Sequence, residues 1–116
     1  MTESDRNIRD SLLSTLKFLS STDEQRSFAE EVRYEDYEGE FACWWFDTFY
    51  PDEPRSSVMF DVEQLAALRE FTATFEASHL ALGRQSFSIN QLLARGEWQT
   101  LMTKARDTLH AVSRAP

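Results

Sequence analysis

Apolar residues recur at helical spacing in three long segments of the chain. Near the N-terminus, Ile8, Leu12 and Leu16 fall on one side of a helix, which predicts an amphipathic helix over residues 4–20. The same periodicity predicts a long helix over residues 61–82 and a final helix along the C-terminal stretch. The apolar positions that define these two helices are Leu65, Leu68, Phe71 and Phe75, and then Trp98, Leu101, Met102, Ala105, Leu109 and Val112.

Polar residues mark where several helices begin and end. Three pairs have the spacing of a capping box, in which two side chains satisfy the free backbone groups of the first helical turn: Thr22 with Gln25, Asp61 with Gln64, and Ser88 with Gln91. The first pair predicts a short second helix, and the third predicts a short helix that Gly96 closes. Gly83 is the predicted C-cap of the long helix.

Between the helical segments, the pattern changes to one typical of strands. Residues 32–37 alternate weakly, and Glu38-Gly39 supplies a turn. Residues 41–50 are almost continuously apolar and aromatic, residues 51–54 end that run with two prolines, and residues 56–60 return. We therefore predict an α+β domain with N-terminal helices, a small antiparallel sheet of two to three strands within residues 31–60, and C-terminal helices packed on one sheet face.

Both faces of the predicted strand 41–50 are apolar, so it is either covered on both sides or exposes one side to a partner. We expect Trp45 to point inward with Phe41 and Cys43, with Trp44, Phe46 and Tyr50 on the other face. A β-bulge would reverse this assignment partway along the strand.

Composition bounds the class of protein. The 116 residues suit one domain, residues 1–116, and a single cysteine excludes an intrachain disulfide and a multi-cysteine zinc site. No apolar run approaches the roughly 18 residues of a membrane span, and the first residues lack the apolar core of a signal peptide. We expect a cytoplasmic protein without a membrane partner.

The charge is negative and unevenly distributed. The formal net charge is -8, which argues against direct nucleic-acid binding, because that binding depends on Lys and Arg neutralising phosphates. Residues 1–54 hold 14 acids and 5 bases, whereas residues 55–116 hold 6 and 7. The stretch from Asp23 to Glu53, which we call the acidic segment, alone holds 11 acids. Nine of the 15 aromatic residues lie between Tyr34 and Phe60, largely within this segment. Such a segment is either a solvated face that aids solubility or a surface complementary to a basic partner, and the interleaved aromatics favour the partner.

The chain carries no recognisable catalytic, cofactor-binding or metal-binding motif. The histidines, His79 and His110, fall at predicted helix ends, where capping or solvent exposure explains them. Cys43 lies in apolar and acidic surroundings that disfavour a thiolate, so we expect it to pack in the core. We expect no enzyme, no cofactor and no metal.

Four segments in this order resemble small immunity proteins of bacterial polymorphic toxin systems, particularly those of contact-dependent growth inhibition. The segments are Phe18–Phe28, the aromatic run Phe41–Tyr50, Phe60–Leu65 and Glu97-Trp98. The resemblance implies a cytosolic protein that binds and neutralises a cognate toxin domain, commonly a nuclease. An acidic surface suits that role, because a nuclease cleft is basic and an acidic partner occupying it excludes the substrate.

Under this hypothesis, the acidic segment supplies the binding residues. The predicted acidic field consists of Glu35, Asp36, Glu38, Glu40, Asp52 and Glu53, and the predicted aromatic anchors are Tyr37, Trp44 and Tyr50. The alternative is an acidic secretion chaperone that binds an effector segment as a dimer. We expect a monomer or a weak homodimer if the chain is an immunity protein. The sequence does not decide between these two oligomeric states.

Overall fold

The computed structural model describes residues 1–113, and these residues form seven α-helices with no strand. The helices are α1 (Glu3–Leu19), α2 (Thr22–Glu31), α3 (Tyr37–Phe46), α4 (Pro54–Met59), α5 (Val62–Leu82), α6 (Ile89–Leu93) and α7 (Gly96–Val112). The long helix α7 packs along α5 and α1, and these three helices enclose most of the core. Helices α2, α3 and α6 cover one side of that core. Within the described residues, no helix has both the length and the apolar character needed to cross a membrane.

The predicted α+β class is therefore wrong, and the error lies in residues 37–50. The apolar run from Phe41 to Phe46 is continuous, so it fits a helix and a strand equally well. The buried positions show that the period is helical. Tyr37, Phe41 and Trp45 of α3 are buried, and so is Phe49 just after the helix. These residues are four apart, which is the spacing of one helix face.

Helical geometry also corrects the predicted facing of this segment. Trp45 and Phe41 do point inward, but Cys43 is exposed instead of packing with them. Successive residues turn by about 100° in a helix, so Cys43 lies on the side opposite its neighbours two positions away. Trp44 and Phe46, expected on the other strand face, are half-buried against the core.

The predicted turn and return strand are also helical. Gly39 lies in the first turn of α3, where a Cβ atom would meet Oδ2 of Asp36 at 2.7 Å, so any other residue here would displace that carboxylate. Residues 56–60 mostly belong to α4, which has Pro54 in its first turn, where the missing N–H of proline costs nothing. The Ser56 hydroxyl donates to the Tyr50 carbonyl at 2.7 Å and joins α4 to the preceding loop.

Helix ends were predicted with mixed success. The capping boxes Asp61–Gln64 and Ser88–Gln91 are confirmed, as is Gly83 after α5, with a φ of 72° that favours glycine. The box at Thr22 is wrong, because the N-cap of α2 is Ser21. Gly96 begins α7 and does not close α6.

The polar side chain of Gln25 is buried because it forms hydrogen bonds with groups in the core. Its Nε2 donates to the carbonyls of Phe18 and Leu19 at 3.2 Å each, and its Oε1 accepts from Trp98 Nε1 at 3.0 Å. The side chain is fully buried. One amide therefore satisfies the end of α1 and the indole of α7, and it holds α2 against both helices.

Replacing Gln25 with leucine should destabilise the protein by about 2–4 kcal/mol, because the indole N–H and the end of α1 would lose their buried partner. Urea unfolding followed by circular dichroism measures the change. Gln85→Leu, an exposed position in the loop before α6, is the control and should change stability by less than about 0.5 kcal/mol. Equal stabilities of the two variants would contradict this account of Gln25.

Candidate interaction surface

The position of α3 determines what the acidic segment presents to solvent. The Tyr37 backbone N–H donates to the Phe87 carbonyl at 3.3 Å, and the Tyr37 hydroxyl donates to the Val32 carbonyl at 2.9 Å. These bonds fix the N-terminus of α3, while Phe41 and Trp45 fix its inner side in the core. The opposite side of the helix is therefore turned outward.

Four residues form what we call the α3 outer face, at positions i, i+3, i+4 and i+7 of one helical surface: Glu40, Cys43, Trp44 and Asp47. Cys43 and Asp47 are exposed, and the other two are half-buried. The sequence analysis did not include Cys43 or Asp47 in the site, although this spacing would have found both had the segment been treated as a helix.

Trp44 is the aromatic centre of the α3 outer face. Its ring contacts Phe18 and Phe28 with centroids 5.2 and 5.0 Å apart, and its Nε1 donates to Glu40 Oε1 at 3.0 Å. The indole is therefore held in one orientation by a hydrogen bond and two ring contacts while part of it stays accessible. A preorganised aromatic side chain of this kind loses little conformational entropy when a partner binds.

The chemistry of the face is acidic and not nucleophilic. Desolvation of the sulfur raises the pKa of the Cys43 thiol, and the carboxylates of Asp47, Glu40 and Glu38 raise it further. The thiol therefore stays protonated at neutral pH, when its reactive thiolate form is scarce.

Most carboxylates of the acidic segment form no ion pair with another described residue. Of the 11 acids between Asp23 and Glu53, only Glu38 and Asp52 form an ion pair with another described residue. The acids without one are Asp23, Glu24, Glu30, Glu31, Glu35, Asp36, Glu40, Asp47 and Glu53. Because their charges are not neutralised within residues 1–113, the segment projects a negative potential.

The predicted binding residues differ in how far their side chains are exposed. Glu35, Tyr50, Asp52 and Glu53 are exposed, and Glu40 and Trp44 are half-buried on the α3 outer face. Tyr37 and Glu38 are buried, at 6% and 2% exposure, and so do not reach a partner directly. Asp36 is half-buried at the start of α3, and its Oδ1 atom is buried without a hydrogen-bond partner among the described residues.

Glu35 belongs to a second feature beside α3. An open cleft of about 660 Å³ lies between the end of α2, the segment before α3 and the start of α6. Glu30, Arg33, Tyr34 and Glu35 form part of its wall, and the Tyr34 ring stacks on Phe28 with centroids 6.0 Å apart. The cleft continues the acidic and aromatic character of the α3 outer face toward α2.

Glu38 is buried because it has a specific partner. His79 Nδ1 lies 2.7 Å from Oε1 and 2.9 Å from Oε2 of this carboxylate, joining the first turn of α3 to the last turns of α5. Desolvation raises the pKa of Glu38, the His79 contact opposes that shift, and the charge of Asp36 adds to it. The sequence analysis assigned His79 to capping or solvent, because nothing local indicates a partner 41 residues away.

The Glu38–His79 pair joins helices and does not form a metal centre. No group of three His, Cys, Asp or Glu side chains within residues 1–113 is arranged to hold a metal ion. His110 is exposed in the last turn of α7, where a positive charge is favourable.

Comparison with protein-family models, with curated proteins and with solved structures finds no match to this chain.

The raised pKa of Glu38 predicts a distinct pH dependence of stability. An acid with a higher pKa in the folded state than in the unfolded state, where its ordinary value is 4.5, favours folding when protonated. The free energy of unfolding should therefore fall as pH rises from about 4.5 through the raised pKa. In Glu38→Gln this contribution disappears, so the difference between variant and wild-type stability should change across that window. Urea unfolding at a series of pH values measures it, with the exposed Glu35→Gln as control; parallel profiles for all three proteins would disprove the assignment.

Cys43 should react slowly with iodoacetamide near pH 8, because its neighbours disfavour the thiolate. Replacing two of those charges, in Glu40→Gln/Asp47→Asn, should accelerate alkylation by about 2- to 5-fold. Alkylation is followed by mass spectrometry. Glu63→Gln, which removes an exposed charge on α5, should leave the rate unchanged; an equal acceleration by this control would show that the local carboxylates do not govern the thiol.

Proposed function

We propose that this protein binds and neutralises a basic protein partner through the α3 outer face and its neighbouring acids, as an immunity protein neutralises a toxin nuclease. It acts in the cytoplasm by binding alone, without turnover, cofactor or metal. The observation that supports the proposal is the pair of carboxylates without ion pairs, Glu40 and Asp47, beside the ordered and half-buried Trp44 on the α3 outer face.

The charge arrangement supports a partner over mere solubility. Like charges at this density repel one another and lower stability, and counter-ions on neighbouring helices would relieve that cost. Among the described residues, Glu40 and Asp47 of the α3 outer face form no ion pair. The C-terminal half of the sequence, residues 55–116, nevertheless holds 7 bases and 6 acids. A basic partner would supply the missing positive charges.

The aromatic component supports a stable complex. Carboxylates at the rim of an interface mainly accelerate association, whereas a buried aromatic anchor mainly slows dissociation. Trp44 can take the second role, because its orientation is already set by Glu40, Phe18 and Phe28. Tyr34 and Tyr50 expose further ring surface, at 42% and 50%.

A nuclease is the class of toxin that this surface suits best. Its cleft is basic because it holds phosphate, so carboxylates such as Glu40 and Asp47 can occupy positions that phosphates would take. The resemblance to immunity proteins agrees with this role, but the residues that carry the resemblance mostly serve the core: Phe18, Phe28, Phe41 and Trp98 are linked by ring contacts. The proposal therefore rests on the surface chemistry and not on those segments.

The decisive experiment uses the protein domain encoded immediately upstream of this chain's reading frame, where a toxin and its immunity protein are paired. Co-expression should rescue growth from that domain, and the purified proteins should form a 1:1 complex. Glu35→Gln/Glu40→Gln/Asp47→Asn should weaken binding by about 10- to 100-fold and reduce its salt dependence. Trp44→Ala should act mainly by raising the dissociation rate.

The matched control removes three exposed acids elsewhere, in Glu3→Gln/Asp10→Asn/Asp107→Asn, and should change affinity by less than about twofold. If the two triple variants bound alike, or if neither affinity nor salt dependence changed, the α3 outer face would not be the interface. Recovery of a dimer on an unfolded effector segment would instead indicate the chaperone alternative.

A further inference from the structure

The longest described helix, α5, both buries and exposes apolar side chains. Its inner side is buried through Leu65, Leu68, Phe71 and Phe75. Its outer side carries Val62, at 84% exposure, together with Leu80 and exposed alanines, among four exposed charged residues. Large apolar side chains this exposed mark a candidate contact surface.

The contrast with α1 shows that this is a property of α5 and not of the whole surface. α1 has a buried apolar stripe and an outer side of charged and hydroxyl residues, as a solvent-facing helix of a globular protein should. On α5, Val62 and Leu80 are the two most exposed large apolar side chains of the described chain, and both lie on the same outer line.

The outer line of α5 follows a heptad repeat. Its positions are separated alternately by four and three residues, and they are Val62, Ala66, Arg69, Ala73, Glu76 and Leu80. We call these six residues the α5 seam. All six are exposed. A 4–3 spacing is the pattern by which one helix packs along another, and the small side chains at its middle permit close approach of two backbones.

The two charges of the α5 seam are complementary under a twofold rotation. Arg69 precedes the central Ala73 by four residues, and Glu76 follows it by three. In an antiparallel pair of copies related by a twofold axis at Ala73, each Arg69 lies within one residue, about 1.5 Å along the axis, of the other copy's Glu76. The same pairing sets Ala66 against the other copy's Leu80.

We propose that the α5 seam is a self-association surface through which two copies of this chain pack their α5 helices antiparallel about Ala73. A second copy is favoured over an unrelated partner because the charge pattern of the seam complements itself. A parallel arrangement would place Arg69 against Arg69 and Glu76 against Glu76, which costs free energy.

Arg69 is available for this contact. Its guanidinium lies 3.6 Å from Asp52 and donates to the Pro51 carbonyl at 3.3 Å, but its side chain is 51% exposed and that of Asp52 is 97% exposed. An ion pair this open contributes little to stability, so the side chain can turn to a better-placed carboxylate. Glu76 forms no ion pair with any residue from 1 to 113.

Self-association is independent of the proposed function. The α5 seam shares no residue with the α3 outer face, so a dimer can retain partner binding and a monomeric variant can bind the partner. Failure of the dimer would leave the neutralisation proposal unaffected, and the reverse also holds.

Sedimentation equilibrium between about 1 µM and about 1 mM tests the association, since a small interface of this kind is weak. The wild-type chain should pass from monomer to dimer in that range. Arg69→Glu and Glu76→Arg should each weaken the dimer by about 5- to 50-fold, and the double swap Arg69→Glu/Glu76→Arg should restore it. The swaps lie at exposed positions, and circular dichroism confirms that each variant is folded.

Cross-linking locates the twofold axis. In a Cys43→Ser background, Ala73→Cys should form a disulfide-linked dimer on mild oxidation, whereas Ser27→Cys, exposed on α2, should not. A chain that stays monomeric up to about 1 mM overturns the proposal. A dimer that is insensitive to either swap, or that cross-links equally well through Ser27→Cys, overturns it as well, because the copies would then meet elsewhere.

Discussion

Burial of every fourth residue in and just after α3 is the constraint on which the rest of the structure depends. Tyr37, Phe41, Trp45 and Phe49 all lie in the core. The ring of Phe41 contacts Trp98 of α7, and the ring of Trp45 contacts Phe71 of α5. A helix that buries this stripe turns Glu40 and Asp47 toward its outer side, whereas Glu38 is buried against His79. The acidity of the surface and the aromatic content of the core are therefore two consequences of the same helical register.

Two buried polar side chains make that register specific. Apolar packing alone tolerates alternative arrangements of α3, because a core can repack when its volume and apolar pattern are kept. Gln25 ties α1, α2 and α7 together by three hydrogen bonds, and Glu38 can reach His79 in only one arrangement of α3 on α5. Both are polar residues whose displacement would leave buried groups without partners, so they penalise alternative packings more than they add to stability.

The elements that sequence reasoning predicted well are those whose polar and apolar positions alternate with a clear period. α1 and α7 have an unbroken apolar stripe, and the bounds of α5 follow from Asp61, Gln64 and Gly83. Residues 41–46 were wrongly predicted as a strand because they are continuously apolar, so no period distinguishes a helix from a strand. Glu38 was assigned to the surface from its charge, since its stabilising partner is distant in sequence. Glu35, Glu40 and Trp44 stay predicted binding residues, because acidity and aromatic content are signals of composition that do not depend on the predicted fold.

Two surfaces, the α3 outer face and the α5 seam, have features that the folding of a single chain does not require. They favour different kinds of contact. The α3 outer face carries carboxylates without counter-ions, and an association through it weakens as salt screens the charges. Association through the proposed α5 seam would bury alanine, valine and leucine in addition to the Arg69–Glu76 pairs, so salt should weaken it less than an association through carboxylates alone. Moderate salt should therefore separate the two: it releases a basic partner from α3 while the α5 helices stay paired. The two proposed contacts lie on different helices and differ in their sensitivity to salt. Salt concentration can therefore change partner binding without changing self-association.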